Sequence, residues 1–302
     1  MGLARKRYPR ILLLLSMLVP GPLLAQELEP RSYNNLPIGL TFMGLGVVRS
    51  EGDLSPTPSS PLQDAELRID AAAISLSHTF ALAGASSKFD VIGGRTCYEG
   101  SASFRGELVD GRRCEYLDPK VKLTWNFYGA PALNAKEFRE WNQDIVIDAS
   151  VMASIPVGDY DSGNIINAGA NRWMVQPAIG VTKRMKGWQW EAKASVSLFE
   201  DNDDFFGGIK SEQNPLYSVS AHLIYLLKRG SWISVDGNYF VGGRSTKNGV
   251  RQDDRQENSR WGLSWSKPLT PKFIIKLYGS TGVVTRIGND FDNYGLGLVY
   301  RF

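Results

Sequence analysis

Apolar and polar side chains alternate, residue by residue, in segments of about ten residues that recur along this chain. In 188–198 one set is Trp188, Trp190, Ala192, Ala194, Val196 and Leu198, and the other is Gln189, Glu191, Lys193, Ser195 and Ser197. Successive side chains of a β-strand point to opposite faces, so a period of two predicts strands with one apolar and one polar face. We predict twelve such strands, at 36–48, 67–82, 87–96, 116–128, 143–157, 171–184, 188–200, 216–228, 231–243, 257–267, 272–286 and 293–302.

Two folds accommodate an apolar face of this kind. In a soluble β-sandwich it packs against a second sheet, whereas in a membrane barrel it meets lipid and the polar face lines the lumen. The connections favour the barrel, because long polar connections alternate with tight ones if the amino terminus is periplasmic. The long connections are 49–66, 200–215 and 243–258, with a shorter one at 287–292; the tight ones are 83–86, 185–187, 229–230 and 269–272.

The carboxyl-terminal strand indicates which membrane this is. Large apolar residues occupy every second position from Tyr294 through Tyr300 to Phe302. Such an ending resembles the closing strand of bacterial outer-membrane barrels. The sequence therefore predicts an all-β protein, a transmembrane antiparallel up-and-down β-barrel of about 12 strands in the bacterial outer membrane. The resemblance implies the barrel assembly machinery as a partner through Phe302, and outer-membrane lipid and lipopolysaccharide as surroundings.

The amino terminus has the layout of a secretory signal peptide. A basic region (5–10) precedes an apolar one (11–19), and the chain offers a cleavage site after Ala25. We therefore expect a signal peptide over 1–25 and a barrel domain over 26–302. An uncleaved anchor helix is the alternative, but the apolar run is too short to span a bilayer and is followed by Pro20-Gly21-Pro22.

Charge and hydropathy argue against two other classes. Residues 1–25 contain four basic and no acidic residues, so the formal net charge of +3 becomes −1 without them. A chain with this net charge has no overall electrostatic attraction for nucleic acid, which argues against nucleic acid as a partner. An apolar run of about 18 residues, the length that a membrane-spanning helix requires, does not occur in 26–302.

Two cysteines, Cys97 and Cys114, lie in the part of the chain expected to be exported, with sixteen residues between them. An oxidising environment favours a disulfide that closes this Gly- and Arg-rich segment as a loop, worth about 3 kcal/mol. A pair of free, structural thiols is the alternative. We expect no metal at this pair, since no histidine lies near either cysteine in the sequence.

One connection on the tight side is longer than the others, and within it residues 134–141 predict a short helix. Asn134 is suited to cap the amino end, with Glu137 completing a capping box. The helix would place Phe138 and Trp141 against the periplasmic rim. An unstructured polar turn is the alternative.

The polar faces of the predicted strands supply candidate lumen-lining residues. They are Lys122, Asp148, Glu191, Lys193, His222, Asp236, Lys276 and Arg301. Charges of both signs on facing strands would create a transverse field that selects polar solutes. Alternatively, these residues pair with one another and stabilise the barrel, because polar groups in the lumen need partners whether or not anything passes. About twelve strands leave a lumen narrower than that of the larger porins.

Two other chemistries are open. A lipid hydrolase or acyltransferase needs a nucleophile beside a base, and His222 has Ser218, Ser220 and Asn238 on the same predicted polar face. Yet lipid lies outside the barrel, whereas His222 is predicted to face inward, and the chain has no Gly-x-Ser-x-Gly motif. The acidic loop residues at 201–204 and 253–254 show no fixed calcium-ligand spacing. We expect solvated loops there, and neither a metal nor a cofactor.

Several short stretches spread over 26–302 resemble one family. They are 27–34 (ELEPRSYN), 128–133 (YGAPAL), 169–173 (GANRW), 201–205 (DNDDF), 217–222 (YSVSAH), 242–246 (GGRST) and 249–254 (GVRQDD). They resemble transporter-like outer-membrane proteins grouped as "putative meta-pathway of phenol degradation". The resemblance implies a barrel that passes small hydrophobic or aromatic molecules. The segment with Cys97 and Cys114 is outside this shared pattern, which favours local reinforcement as the role of the pair.

The sequence therefore predicts an outer-membrane channel or transporter for small molecules, without enzymatic activity and without nucleic acid as a partner. Two alternatives stay open. One is a structural or adhesive outer-membrane barrel that transports nothing, and the other, less favoured, is an outer-membrane lipid-modifying enzyme.

Overall fold

The computed structural model describes residues 28–31, 35–55, 62–104, 107–164, 166–285 and 288–302, so the predicted signal peptide lies outside the described residues. The alternating segments form long strands. The elements are β1 (Thr41–Ser55), β2 (Leu62–Leu82), β3 (Ala85–Phe104), β4 (Glu107–Tyr116), β5 (Lys120–Tyr128), α1 (Glu137–Glu140), β6 (Ile145–Ser154), β7 (Met174–Met185), β8 (Trp188–Phe199), β9 (Asn202–Phe205), β10 (Ile209–Gln213), β11 (Leu216–Leu226), a 3-10 turn (Lys228–Gly230), β12 (Trp232–Gly242), β13 (Ser245–Lys247), β14 (Val250–Arg251), β15 (Gln256–Pro268), β16 (Phe273–Thr285) and β17 (Gly288–Arg301).

Twelve of these strands close into a barrel. Each pairs antiparallel with the next in the order β1, β2, β3, β5, β6, β7, β8, β11, β12, β15, β16, β17. The ring is completed by β17, which pairs with β1 from Arg301 opposite Phe42 to Gly288 opposite Ser55. The predicted up-and-down barrel of twelve strands is therefore confirmed.

The ends of the first and last strands differ from the prediction. The first strand begins at Thr41 rather than at residue 36, because the preceding backbone is bound to one residue of β2. The Gly39 amide donates to the Thr79 carbonyl (2.8 Å), and the Leu40 amide donates to Thr79 Oγ1 (2.9 Å). The predicted connection 287–292 is wrong, because β17 already begins at Gly288.

The wall of the barrel is uneven in height. β1, β2 and β3 contain 15, 21 and 20 residues, against 9 to 14 in the other barrel strands. β3 pairs with β5 through residues 87–92 and, above them, with β4 through residues 95–104. The β3–β4 hairpin thus continues the wall on the extracellular side.

The two cysteines lie in this hairpin. Cys97 of β3 and Cys114 of β4 are direct cross-strand partners and form a disulfide, which confirms the predicted pairing. Their predicted place in a loop is wrong. Charged residues face outward here, at the positions where apolar residues face outward further down; for example, Glu99 accepts a hydrogen bond from Arg68 (2.7 Å). Side chains of this hairpin therefore still alternate between the inner and outer faces, but apolar and polar residues do not alternate with them.

Burial follows the alternation in the sense expected of a membrane barrel. In β11, Tyr217, Val219 and Leu223 are exposed, whereas Ser220 and His222 between them are buried. The same arrangement recurs along the membrane-level parts of the other barrel strands, so the outer surface there is mainly apolar and the interior mainly polar. Among the described residues, no helix is both long and apolar enough to cross a membrane.

The extracellular connections have structure of their own. The segments 200–215 and 243–258 contribute a small sheet in the order β14, β13, β10, β9, while acidic residues such as Asp203 and Asp253 are solvated as expected. β10 and β13 pair from Ser211 opposite Lys247 to Gln213 opposite Ser245. The two connections therefore support each other above the barrel.

The predicted periplasmic helix is present as a single turn. Asn134 Oδ1 accepts hydrogen bonds from the amides of Lys136 (2.9 Å) and Glu137 (3.1 Å), and Glu137 Oε2 accepts one from the Asn134 amide (2.9 Å). This reciprocal pair is the predicted capping box. The rings of Phe138 and Trp141 lie 5.4 Å apart beside α1.

Candidate functional site in the barrel lumen

Residues 28–31, which precede the first strand, cross the inside of the barrel; we call them the inner segment. Leu28 is buried, and a Cβ added at Gly262 of β15 would lie 2.8 Å from its Cδ1. The Arg31 amide donates to Glu191 Oε2 of β8 (2.9 Å), and its guanidinium lies 5.8 Å from the centre of the Trp232 ring. The inner segment therefore contacts the wall on several sides of the lumen.

The carboxylate of the inner segment contacts a lysine of the wall. Glu29 Oε2 lies 3.5 Å from Lys122 Nζ. Burial alone would raise the pKa of the Glu29 carboxyl, but the charges of Lys122, Lys193, Lys276 and Lys88 outweigh it and hold that pKa well below its usual range. Glu29 is therefore ionised and acts as an anion bound inside its own barrel.

A second polar group lies on β8, β11, β12 and β15. His222 Nδ1 is 2.8 Å from Asp236 Oδ1, while Asp236 Oδ2 accepts hydrogen bonds from Ser234 Oγ (3.0 Å) and Ser264 Oγ (2.9 Å). Glu191 lies opposite His222 in the strand register and accepts a hydrogen bond from Gln189 (2.7 Å). The two serine hydroxyls therefore donate to the Asp236 carboxylate and not to the His222 imidazole.

The eight residues predicted to line the lumen fall into two groups and one outlier. Glu191, His222 and Asp236 belong to the polar group just described. Lys122 contacts Glu29, and the charges of Lys193 and Lys276 also act on that carboxylate. Asp148, which is 1% exposed, lies within range of the charges of Lys122 and Lys193. Arg301 is half-buried at the periplasmic end of β17, and no contact among the described residues joins it to either group.

The extracellular half of the lumen is narrowed by the connection between β6 and β7. Asp118 holds this connection, accepting hydrogen bonds from the amides of Gly158 (2.9 Å) and Ala170 (2.7 Å), and Glu115 accepts one from Ala168 (2.8 Å). Beside it, four buried side chains form an apolar cluster with Ile166 and Ala168 packed against them: Leu67, Ile69, Tyr98 and Phe291. The upper part of the barrel therefore contains an apolar cluster between the wall and the β6–β7 connection.

The interior carries more basic than acidic side chains. On the inner faces of the described strands that form the wall, eight basic residues are buried or half-buried: Lys88, Arg113, Lys120, Lys122, Lys193, Arg260, Lys276 and Arg301. Five carboxylates lie on the same faces: Asp90, Glu115, Asp148, Glu191 and Asp236. In the β6–β7 connection, burial lowers the pKa of Arg172 to about 10, although the charge of Asp201 opposes the shift.

Sequence reasoning did not find the inner segment or the residues that hold the β6–β7 connection. Arg31 and Glu191 are 160 positions apart in the sequence, and Ala170 and Asp118 are 52 positions apart. Neither pair belongs to a periodic pattern. One sign of the inner segment was visible in the sequence, the charged residues Glu29 and Arg31 after the expected cleavage site. If the segment before the first strand enters the barrel, both of these residues need partners there.

Comparison with known proteins agrees with this architecture. Over 91% of this chain and 100% of the other, the structure is similar to the COG4313 outer membrane channel from Pseudomonas putida F1, with a TM-score of 0.76 and 21% sequence identity. Over 88% of this chain and 100% of the other, it is similar to the β domain of the Bordetella autotransporter BrkA, with a TM-score of 0.50 and 11% identity. Among curated protein sequences, none matches this chain.

The closed sheet of twelve antiparallel strands, apolar outside and polar inside, defines a β-barrel protein of the bacterial outer membrane. A family model described as "Putative MetA-pathway of phenol degradation" matches residues 141–300. The chain belongs to that family, as its sequence resemblance predicted.

Proposed function

We propose that this barrel is a channel for small hydrophobic or aromatic molecules. The proposal rests on the observation that the inner segment fills part of the lumen without belonging to the wall. The inner segment lies inside the barrel but is not one of the strands of the closed sheet. Its contacts with Glu191, Trp232 and Lys122 are all non-covalent. Removing it would leave the sheet and its hydrogen bonds intact and open the space that Leu28 to Arg31 occupy.

The family description and the apolar cluster of the upper lumen support the class of solute. Leu67, Ile69, Tyr98 and Phe291 form an apolar cluster on the inner side of the wall, which Ile166 and Ala168 of the β6–β7 connection cover, whereas a hydrophilic pore would have water-binding groups there. A solute with an apolar body gains free energy by leaving water for apolar side chains of this kind.

The test compares conductance in planar bilayers and solute entry into liposomes for two double variants. Leu28→Ala/Arg31→Ala removes contacts of the inner segment, and Leu45→Ala/Arg229→Ala removes one exposed leucine and one exposed turn arginine. We expect the first variant to conduct more than the native protein and the second to match it. A tight seal of the native protein and both variants to every small solute tried would refute the channel and favour a structural or adhesive barrel.

We propose that His222 has a structural and not a catalytic role. Its Nδ1 contacts Asp236, and the hydroxyls of Ser234 and Ser264 donate to the same carboxylate. A hydrolase would instead need a hydroxyl on the free side of the imidazole. A lipid-hydrolysis activity of the purified protein that disappears in His222→Ala would contradict this assignment.

We also propose the route by which the chain reaches its membrane. Residues 1–25 would be removed as a signal peptide, and the closing strand with Phe302 would engage the barrel assembly machinery, leaving the extracellular rim among lipopolysaccharide. Phe302 is exposed and its ring lies 5.0 Å from that of Tyr300. The mass of the mature protein tests the cleavage after Ala25. Phe302→Ala should reduce the amount of barrel in the outer membrane, and an unchanged amount would argue against recognition through this residue.

A further inference from the structure

We propose that the outward face of the β3–β4 hairpin binds the phosphorylated saccharide head of lipopolysaccharide. On this face the outward side chains change from apolar to charged, on the extracellular side of the barrel. The inference rests on the proposed contact of the extracellular rim with lipopolysaccharide and specifies where that contact is made. It does not depend on what the channel transports.

The strand register gives the height of the membrane surface on this side. On β3 the outward side chain of Val91 is apolar, whereas those of Arg95 and Glu99 are charged. Arg95 lies opposite the exposed Tyr116 of β4, and Tyr294 of β17 is exposed two residues higher up the wall. Amphipathic rings are favoured at the height of lipid headgroups. Arg95 therefore lies where the phosphates of the outer leaflet begin.

Two arginines of this face hold carboxylates of the protein itself. Asp70 accepts hydrogen bonds from Arg49 Nε (2.7 Å) and Nη2 (3.2 Å), and Glu99 accepts one from Arg68 Nη2 (2.7 Å). Arg49 Nε also lies 3.8 Å from Glu51 Oε1. The charges of Arg49 and Arg68 are therefore balanced within the protein.

The other two arginines, Arg95 and Arg112, are available to an external anion. Both are exposed, and within the ranges that the structure describes neither forms an ion pair. Arg95 lies 5.6 Å from the centre of the Tyr116 ring. Arg112 lies opposite Glu99, and its charge also acts on Asp70, but other arginines already hold both carboxylates. Because a guanidinium matches a phosphate with two parallel hydrogen bonds, these two residues suit phosphate groups.

The disulfide fixes the spacing of the two arginines. Arg95 precedes Cys97 by two residues on β3, Arg112 precedes Cys114 by two residues on β4, and the cysteines are direct cross-strand partners. Positions two apart share a face, so all four side chains point outward. At about 3.4 Å per residue, the backbone positions of the arginines are about 14 Å apart along the strands. A saccharide with several anionic groups can reach both, whereas one small anion cannot.

A groove above the disulfide provides room for such a saccharide. Its volume is about 610 Å³, within the range of about 300–1,000 Å³ that is typical of ligand sites. Side chains of both signs line it: Glu51, Glu66, Arg68, Glu99, Asp110 and Arg112. Carboxylates accept hydrogen bonds from sugar hydroxyls and guanidinium groups donate to them. The groove therefore suits the sugars of a lipid whose acyl chains lie against the apolar surface below.

The experiment measures lipid binding to the purified, detergent-solubilised barrel by native mass spectrometry. The probes are lipopolysaccharide with its inner-core sugars, the same molecule without its phosphates, phosphatidylglycerol and inorganic phosphate. The native protein should bind intact lipopolysaccharide at about tenfold lower concentrations than the dephosphorylated form. Arg95→Gln and Arg112→Gln should each weaken this binding about tenfold, since each removes one charge-assisted contact. Arg251→Gln, which changes an exposed arginine of β14, should match the native protein.

Heat-dependent mobility in gel electrophoresis confirms that each variant is folded, so a change in binding reports on the site. Equal binding by the native protein and both hairpin variants would refute the site, and so would an equal loss in Arg251→Gln. Dephosphorylated lipopolysaccharide that binds as tightly would refute the role of the phosphates. Phosphatidylglycerol or inorganic phosphate that binds as well as lipopolysaccharide would refute lipopolysaccharide as the occupant. Absence of the barrel from the outer-membrane fraction would instead refute the proposed surroundings.

Discussion

Reduction of the Cys97–Cys114 disulfide should loosen one hairpin of the barrel and leave the rest unchanged. The cysteines are 17 positions apart and directly opposite each other in β3 and β4. In the chain-entropy description, a cross-link that closes a loop of this length stabilises the closed form by about 3 kcal/mol. That energy corresponds to a factor of about one hundred in the opening equilibrium.

The effect should be local because β4 is held on one side only. Its pairs with β3 run from Arg95 opposite Tyr116 to Phe104 opposite Glu107, and its other edge meets no strand among the described residues. Each barrel strand, by contrast, pairs on both sides. Without the disulfide, β4 can open while the twelve-stranded ring stays closed.

Amide hydrogen exchange in detergent micelles measures this opening. In the Cys97→Ser/Cys114→Ser variant, amides of residues 108–116 should exchange up to about a hundredfold faster than in the oxidised protein, while those of β7 and β8 should keep their rates. Adding a thiol reductant to the native protein should reproduce the change, and adding it to the double variant should have no effect. Unchanged exchange in β4, or an equal acceleration in β7 and β8, would refute the reasoning.

Three further predictions concern the lumen and a turn. Asp236→Ala should lower the free energy of unfolding by about 3 kcal/mol, measured by urea titration of the folded barrel, because His222 and two serine hydroxyls lose their buried partner; a change below a third of this would contradict the network. Gly129→Ala should cost at least about 2 kcal/mol in the same titration, since Gly129 has a φ of 72° and an added Cβ would lie 1.8 Å from the Ile145 carbonyl oxygen; native stability would show that the turn rearranges freely. Because the pKa of Glu29 is lowered, its ionised carboxylate anchors the inner segment to the wall fully at neutral pH. This anchoring is lost only as the pH falls below the ordinary carboxyl range. Conductance should therefore rise only in strong acid, and an identical acid step in Glu29→Gln would exclude Glu29 as its cause.

The membrane strands were predictable because each depends on a local pattern. The alternation in β8 or β11 follows from which face meets lipid, and lipid selects apolar side chains at every second position. The capping box of Asn134 and Glu137 was predictable for the same reason, since its partners are three residues apart. Upper β3 and β4 alternate too, but their outward face includes charged residues such as Arg95, Glu99 and Arg112, so hydropathy gave no sign that they are strands.

The arrangement of the lumen was predictable only in part. Alternation indicated that Glu191, His222 and Asp236 would share the inner side, because direction along a strand is a local property. Which of them touch depends on the register between strands, and register is set by pairing over the whole sheet. The position of the inner segment depends on contacts with β5, β8, β12 and β15, and no local signal encodes it.

The place of the inner segment has a consequence for assembly. It lies on the amino-terminal side of β1, the strand at which the ring is sealed, and the β1–β17 seam joins the two ends of the barrel sequence, such as Phe42 and Arg301. Contacts so distant along the chain form late, since their loop-closure entropy is the largest. We therefore expect the wall to be completed around Leu28 to Arg31, so that the inner segment already narrows the lumen when the barrel enters the membrane.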